Sequence, residues 1–404
     1  MANSILYRCF NYVEITQIPT TRFPNRNKVM TLNYLNKFEC KSGWEDLTNN
    51  ATVVIPKNVV AKDLNGNSVP LLGTNIDIGN GTDPLFLRGD RIVVQTGYWY
   101  VNALGSQVQD VTLKFEGFIS KVHSKMPITL ECEDNGWILK QIKAPDKVYG
   151  DGVSIQSIIT DLVKGTGLVV ATESTTKIDF NIGTFFTKNE TVMQVLARIK
   201  SVYKVGVYIH GNEIRIGYPT YYQKDVQNPS RPFIFRFQKN IISDVLEYQR
   251  KEDIIISATA ESYYKQKVSG STKDGASKTT TRKLMVFVSL DSQGKLTSKT
   301  ITDTSQIPPN EGGERMTFFF PYATTAKELT ELAKNELEKK YYTGFKGSFT
   351  TFGIPFIPMG DNIKLEDPVL KDRNGTYKVR SVTYMSGVSI GVRQVITLDY
   401  KIDV

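Results

Sequence analysis

The side chains able to carry chemistry are few, and their spacing does not suit it. There are two histidines, His123 and His210, the first in a strand-like run and the second in a turn-like His-Gly-Asn. Neither has a cysteine or carboxylate at the spacing that a metal site requires. The three cysteines, Cys9, Cys40 and Cys132, are too few and too scattered for a disulfide framework or a zinc site, and Cys132 falls on the apolar phase of its strand as a buried thiol. Asp77 to Asp83 is similar to a calcium loop but lacks the terminal bidentate glutamate, so it reads as a turn. Glu131, Glu133 and Asp134 gather three carboxylates, yet Glu131 and Glu133 share the outward phase of one strand and do not face each other as a glycosidase pair must. No G-x-S-x-G, H-E-x-x-H or phosphate-binding loop is present. The sequence therefore offers no catalytic, cofactor-binding or metal-binding residue, and no enzyme is expected.

Two further features bear on binding. The aromatic groups Tyr98-Trp99-Tyr100, Tyr221-Tyr222, Tyr263-Tyr264 and Tyr341-Tyr342 could stack nucleic-acid bases, but in a β-rich chain they fill cores and subunit interfaces. Lys265, Lys267, Lys273, Lys278, Arg282 and Lys283 form a basic cluster that reads as a solvated projection or a phosphate contact. The net charge is +9 over 404 residues, a mild excess that serves solubility as readily as a polyanionic partner. With 23% charged and 40% hydrophobic residues the composition is that of a globular chain of two to three domains. No run approaches the ~18 apolar residues that span a bilayer. The start of the chain lacks the pattern of a secretory signal, so maturation in a cytoplasm is expected.

The elements that position these residues fall into three parts. Residues 1–135 read as strands and turns: Val111, Leu113 and Phe115 alternate with polar neighbours, as do Ile128, Leu130 and Cys132. Residues 136–232 read as a small α+β domain. Its first helix is capped by Ser154, carries Ile155, Ile158, Ile159, Leu162 and Val163 on one face, and stops at Gly165. Its second helix is expected to start from a capping box at Thr187 to Glu190 and to carry Val192, Val195, Leu196 and Ile199, before a hairpin over 205–216. Residues 233–404 return to strands, with a polar insertion at about 264–314 that reads as a projecting hairpin. A third helix is capped at Thr325, with an expected Glu336–Lys340 pair. The fold class is mainly β with an α+β insert.

The strongest internal signal is a duplication. Phe86-Leu87-Arg88-Gly89-Asp90-Arg91-Ile92-Val93-Val94, then Phe115 to Val122, then Ile128-Thr129-Leu130 is matched by Ile357-Pro358-Met359-Gly360-Asp361-Asn362-Ile363-Lys364-Leu365, then Gly375 to Val382, then Ile396-Thr397-Leu398. Ile396, Leu398, Tyr400 and Ile402 alternate in the same phase as the first copy.

The repeat, the intervening α+β domain and the order of the later motifs (Gly353-Ile354-Pro355, Pro358-Met359-Gly360-Asp361, Gly375-Thr376-Tyr377-Lys378-Val379, Arg393 to Leu398) resemble the tail-hub family of tailed bacteriophages. That family includes the late control protein D group and is related to the N-terminal part of type VI secretion spike proteins. The resemblance implies two tandem tail-tube-like β-barrel domains, 1–135 and 233–404, separated by the 136–232 domain. It implies a homotrimer that presents a pseudo-six-fold ring and joins a hexameric tail tube to a trimeric spike or tip. The expected partners are the tube protein, the spike or tip chain, other baseplate proteins and the tape measure protein, with DNA in transit through the bore and no stable membrane association. It further implies a place in the virion tail, assembled in the host cytoplasm, with the 264–314 insertion reaching a neighbouring tail protein. The sequence ends at Val404 without the oligosaccharide-binding barrel of spike-fused relatives, so the spike is expected on another chain. Two alternatives stay open: a nucleic-acid-binding protein with two barrel folds, and a carbohydrate-binding tail adhesin.

Overall fold

The computed structural model describes residues 7–56, 60–63, 65–70, 83–101, 105–123, 125–150, 153–177, 184–203, 205–217, 232–271, 277–291, 293–309, 313–320, 323 and 325–402. The Asp77–Asp83 turn, apart from Asp83, and Tyr221-Tyr222 lie outside these residues, as do the side chains of Tyr263, Tyr264, Lys265, Lys267, Lys273 and Lys278.

The first part supplies β1 (Tyr7–Thr16), β2 (Val29–Leu32), β3 (Lys37–Gly43), β4 (Asn50–Ile55), β5 (Val60–Asp63), β6 (Ser68–Pro70), β7 (Arg91–Val101), β8 (Gln107–His123) and β9 (Ile128–Glu133). The middle part supplies α1 (Gly136–Gln141), β10 (Lys147–Tyr149), α2 (Ile155–Val163), β11 (Val169–Val170), α3 (Thr172–Lys177), β12 (Phe185–Thr187), α4 (Val192–Tyr203), β13 (Val207–His210) and β14 (Glu213–Ile216). The last part supplies β15 (Phe233–Arg236), β16 (Ile241–Gln249), β17 (Ile256–Ser271), β18 (Ser277–Leu290), β19 (Leu296–Ile301), β20 (Glu314–Phe319), α5 (Ala326–Glu338), β21 (Gly344–Phe352), β22 (Asn362–Glu366), β23 (Gly375–Gly387) and β24 (Gly391–Lys401). The protein is mainly β, with the helices concentrated in the middle.

Period-two burial makes the main sheet. Val392, Gln394, Ile396 and Leu398 of β24 are buried and alternate with partly exposed residues, and Ile128, Leu130 and Cys132 of β9 do the same. Among the described residues fifteen strands join in one sheet, in the order β16-β21-β24-β23-β3-β4-β9-β8-β7-β1-β2-β5-β6, with β15 and β22 branching off β23. Among the described residues this path has two open ends, β16 and β6, so the two modules expected as separate barrels share one sheet instead of each closing on itself. One apolar core runs through both: Val13, Phe38, Ile92 and Leu130 belong with Phe235, Phe349, Ile363 and Leu398. Each such side chain contributes about 1.5–3 kcal/mol by leaving water.

The middle part has its own core of α2, α4 and the β13–β14 hairpin. Ser154 caps α2 by accepting from Ser157 N at 3.2 Å, and Gly165 ends it at φ +80°. The cap of α4 is not where the Thr187–Glu190 pattern put it. Thr191 Oγ1 accepts from Gln194 N at 3.3 Å while Gln194 Oε1 accepts from Thr191 N at 2.8 Å. Thr187 instead donates to Pro145 O at 2.5 Å, and Glu190 pairs with Arg198 at 2.7 Å. Thr-x-x-Gln satisfies the same orphan donors as Thr-x-x-Glu, so the two overlapping boxes differ only in what else holds their side chains.

The insertion is more structured than a projecting hairpin. β19-β18-β17-β20 form a separate four-stranded sheet, and α5 covers it through Leu329, Ala333 and Leu337, which pack against Ala258, Ala260, Val286 and Val288. Ile254–Ala260 and Met316–Phe320, expected in the second barrel, lie in or beside this sheet instead. Thr325 caps α5 by accepting from Glu328 N. The expected Glu336–Lys340 pair does not form: Glu336 takes Lys339 at 2.5 Å, and Lys340 reaches Glu314 of β20.

Candidate functional site in the duplicated module

The two copies share one pattern of backbone hydrogen bonds around their Gly-Asp turns. In each, a Gly-Asp turn leads into a strand, β7 or β22, with Gly89 at φ +96° and Gly360 at φ +79°, a region that side chains resist. Gly89 N donates to Ile119 O and Ile119 N to Asp90 O; Gly360 N donates to Val379 O and Val379 N to Asp361 O, all at 2.8–2.9 Å. Ile119 and Val379 are therefore equivalent. A bulge follows each, at Ser120 and at Arg380, before the ladder resumes. Ile119 faces Cys132 and Val379 faces Leu398, so Leu130-Glu131-Cys132 is the counterpart of Ile396-Thr397-Leu398. The match to Ile128-Thr129-Leu130 read from the sequence is two residues out of register. A two-residue slip preserves the side-chain phase, which is why alternation alone did not detect it.

The correspondence extends to five strands: β3, β4, β7, β8 and β9 answer to β16, β21, β22, β23 and β24, in the same chain order and the same neighbour order. The four-stranded sheet and α5 occupy the position of the short β3–β4 connection.

The Gly-Asp turns have diverged in their partners. Asp90 is fully buried and takes two bonds from Arg26, at 2.9 and 2.5 Å, with further bonds from Ile18 N and Leu87 N. Asp361, also buried, accepts from Asn362 N, and the neighbouring Met359 packs with Ala171 and Tyr208 of the middle part. One turn is closed by an arginine of its own module; the other is a joint to the α+β unit.

The modules meet along a seam. β23 pairs antiparallel with β3 over seven rungs, from Ser381 opposite Gly43 to Gly387 opposite Lys37. Tyr98 Oη donates to Val392 O at 2.8 Å and accepts from Val392 N; Ser386 Oγ donates to Asn11 Oδ1 at 2.6 Å; Arg380 pairs with Glu45. Beside the seam, Lys114 Nζ lies 3.6 Å from the centre of the Phe356 ring and 4.9 Å from that of Tyr384, and those rings stack at 4.9 Å. Burial depresses the Lys114 amine to about 7, against the opposing attraction of Asp110. Burial likewise raises the Cys40 thiol to about 12 and pushes the Cys132 thiol further up.

Of the residues first considered for chemistry, only His123 and Glu131 are shown in direct contact among the described residues. His123 bonds to Glu131 across the β8–β9 ladder at 2.5 Å, which holds the Glu131 carboxyl below its usual range. Glu133 pairs with Lys140. Asp134, unlike its two neighbours, is buried; it accepts from Asn49 N and Gly136 N, and burial raises it to about 7. His210 lies in the β13–β14 hairpin, whose turn residues Gly211 and Asn212 accept from Asn135 Nδ2, next in the chain to Asp134. Among the described residues no three histidine, cysteine or carboxylate side chains gather as a metal site would need, and no helix is long and apolar enough to cross a membrane. A cleft of about 1020 Å³ separates β16 and β23 from the inserted unit. Its lining mixes signs, with Glu247 and Asp399 against Arg250, Lys339, Lys340 and Arg380.

No family model and no curated protein matches the chain. Solved structures do. The tail protein of Neisseria meningitidis MC58 aligns over 96% of both chains at 12% identity with a TM-score of 0.52. The 43 kDa tail protein of prophage MuSo2 from Shewanella oneidensis aligns over 96% of this chain and 97% of its own, at 11% identity and 0.51. The chain has the fold of phage tail proteins. A chain of the lidded Francisella PdpA–VgrG complex shares that fold over 97% of this chain and 53% of its own, at 10% identity and 0.53. The likeness therefore extends over nearly all of the chain and agrees with the resemblance read from the sequence.

Proposed function

We propose that the chain is a structural tail hub: three copies close into a ring that joins a hexameric tail tube to a trimeric tip and lets the genome pass on infection. The observation that carries this reading is the five-strand duplication within one tail-protein fold. Three chains with two copies each present six similar faces on one side and three-fold features elsewhere, which is a physical means of changing symmetry between two rings. We assign 1–135 and 233–404 to the ring wall and 136–232 to its outside or tip end, with the inserted unit reaching another tail protein. The partners are the tube protein, a spike or tip chain, other baseplate proteins and the tape measure protein. The VgrG complexes among the structural neighbours support a spike-side contact. The role is mechanical, without a catalytic step, in a virion tail assembled in the host cytoplasm. Contacts of the order of 2,000 Å² or more per interface are expected for a permanent ring. Mass measurement in solution with electron microscopy tests the reading. A trimeric ring with pseudo-six-fold density is expected; a compact monomer that never associates with tube protein would refute it.

A further inference from the structure

The seam inside the chain is a template for a contact between chains. On the strand edge that β22 occupies, β23 loses β22 after Lys378, passes the Val379 bond to the Gly-Asp turn, and is then covered by β3 from Ser381 onward. β8 follows the same course. It loses β7 after Phe118, passes the Ile119 bond to the Gly-Asp turn, and continues through Lys121, Val122 and His123. Among the described residues no strand covers that edge of Lys121–His123. The counterpart of β3 in the second module is β16, which among the described residues pairs only with β21 and is an open end of the sheet. Two edges that are joined within the chain in one setting are thus both left open in the other.

We propose that the free edge of β8 at Lys121–His123 pairs antiparallel with β16 of a second copy of this chain, in the register of the β23–β3 seam. Transferring that register places Lys121 opposite Gln249, Val122 opposite Tyr248 and His123 opposite Glu247. The partner is a second copy because the template is the chain's own pairing, and because the surfaces are suited to one another. Lys121, His123 and Lys125 lie on the β8–β9 end, while β16 carries Asp244 and Glu247 and leaves Ile242 45% and Val245 74% exposed. His123 already bonds Glu131, and Glu247 reaches Lys346 at 3.2 Å, so the new contact adds to existing pairs across an exposed edge. The β8–β9 hairpin is shorter than β23–β24, which limits the ladder to three rungs and sets the rest of β16 against the hairpin tip. Because the two edges differ, the contact is head-to-tail and closes only as a ring.

The inference rests on the hub reading, and paired cysteines separate the two. In a Cys9→Ser background, His123→Cys with Glu247→Cys, and Lys121→Cys with Gln249→Cys, bring Cα atoms within the ~7 Å that a disulfide tolerates, so each should give roughly tenfold more covalent dimer and trimer on mild oxidation than the offset pair His123→Cys with Ser243→Cys. The mass of each unoxidised variant is measured alongside. A trimer in which neither matched pair exceeds the offset control overturns the edge pairing and leaves the hub reading standing. A monomer at every concentration, without cross-links, overturns both.

Discussion

Replacing Arg26 by methionine should be among the most damaging single changes in the first module. The Arg26 and Asp90 side chains are 0% and 1% exposed, so neither charge has water to fall back on. The guanidinium also donates from Nε to Pro84 O at 3.0 Å and from Nη1 to Ile18 O at 3.1 Å, tying three separate segments to the Gly89-Asp90 turn. Removing one member of a buried pair leaves the other charge uncompensated, at a cost of about 3–5 kcal/mol. The exposed Arg91–Glu116 pair on the next residue is the internal control, with side chains 42% and 36% exposed; Arg91→Ala should cost no more than ~1 kcal/mol. A joint Arg26→Met, Asp90→Asn change removes both charges and should recover part of the loss, since an asparagine oxygen still accepts from Ile18 N or Leu87 N. Urea titrations give the three stabilities, and amide exchange at Leu87 to Ile92 localises the effect. If Arg26→Met costs as little as Arg91→Ala, the turn is not held by this pair and the divergence of the two Gly-Asp turns has been misread.

Lys114 gives a prediction in pH. Its folded value near 7 lies below the ordinary lysine value of 10.5, so the unfolded chain binds the proton more tightly. The burial cost is present in full below pH 7 and is relieved as pH rises from about 7 toward 10.5. Lys114→Met, which keeps the stem over Phe356, should flatten the stability-versus-pH curve in that window and stabilise the protein below pH 7, by an amount on the order of a few kcal/mol; equal slopes for the two proteins would refute this. Thiol counting gives another: Cys9 is exposed whereas Cys40 and Cys132 are buried, so one thiol should react in the native protein and three in denaturant. Rapid native reaction of two or three would contradict the packing.

What the sequence disclosed follows from which signals are local. Ser154, Gly165 and Thr325 act within one turn of their helices, and each does what its type suggests. The duplication was legible because Gly89 and Gly360 must both adopt positive φ, fixing an anchor that strands of ordinary composition do not supply. Its register beyond that anchor was not, because the bulges at Ser120 and Arg380 leave no mark in composition and a slip of two keeps every side chain on its face. The sharing of one sheet was hidden for a related reason. β3 carries the same alternation whether its outer edge meets its own module or β23, since backbone pairing is indifferent to which strand supplies the carbonyls. The inserted sheet was underestimated because its core uses Ala258, Ala260, Ala323 and Ala333 beside a polar 264–283 stretch, and small residues give a weak apolar pattern.

The places where the two copies agree and differ bear on how a duplicated chain could serve two symmetries. The shared parts are the five-strand ladder, the Gly-Asp backbone bonds and the bulges, all features of the backbone. The differing parts are connections and the partners of side chains. Between β3 and β4 the chain spends only a short loop, from which Asn49 Nδ2 reaches Ile209 O of the middle part; between β16 and β21 it inserts a sheet and a helix. Asp90 is sealed by Arg26, whereas the Asp361 turn abuts Ala171 and Tyr208. Under the proposed ring, contacts made by the ladder would repeat six times and contacts made by the connections three times. A partner that touches only strand backbone would then meet near-six-fold order, and one that touches the inserted or middle units would meet three-fold order. Divergence kept to the connections and to side-chain partners is what such an adaptor needs, because a change in the ladder of one copy alone would break the equivalence between the internal seam and the contact proposed between chains.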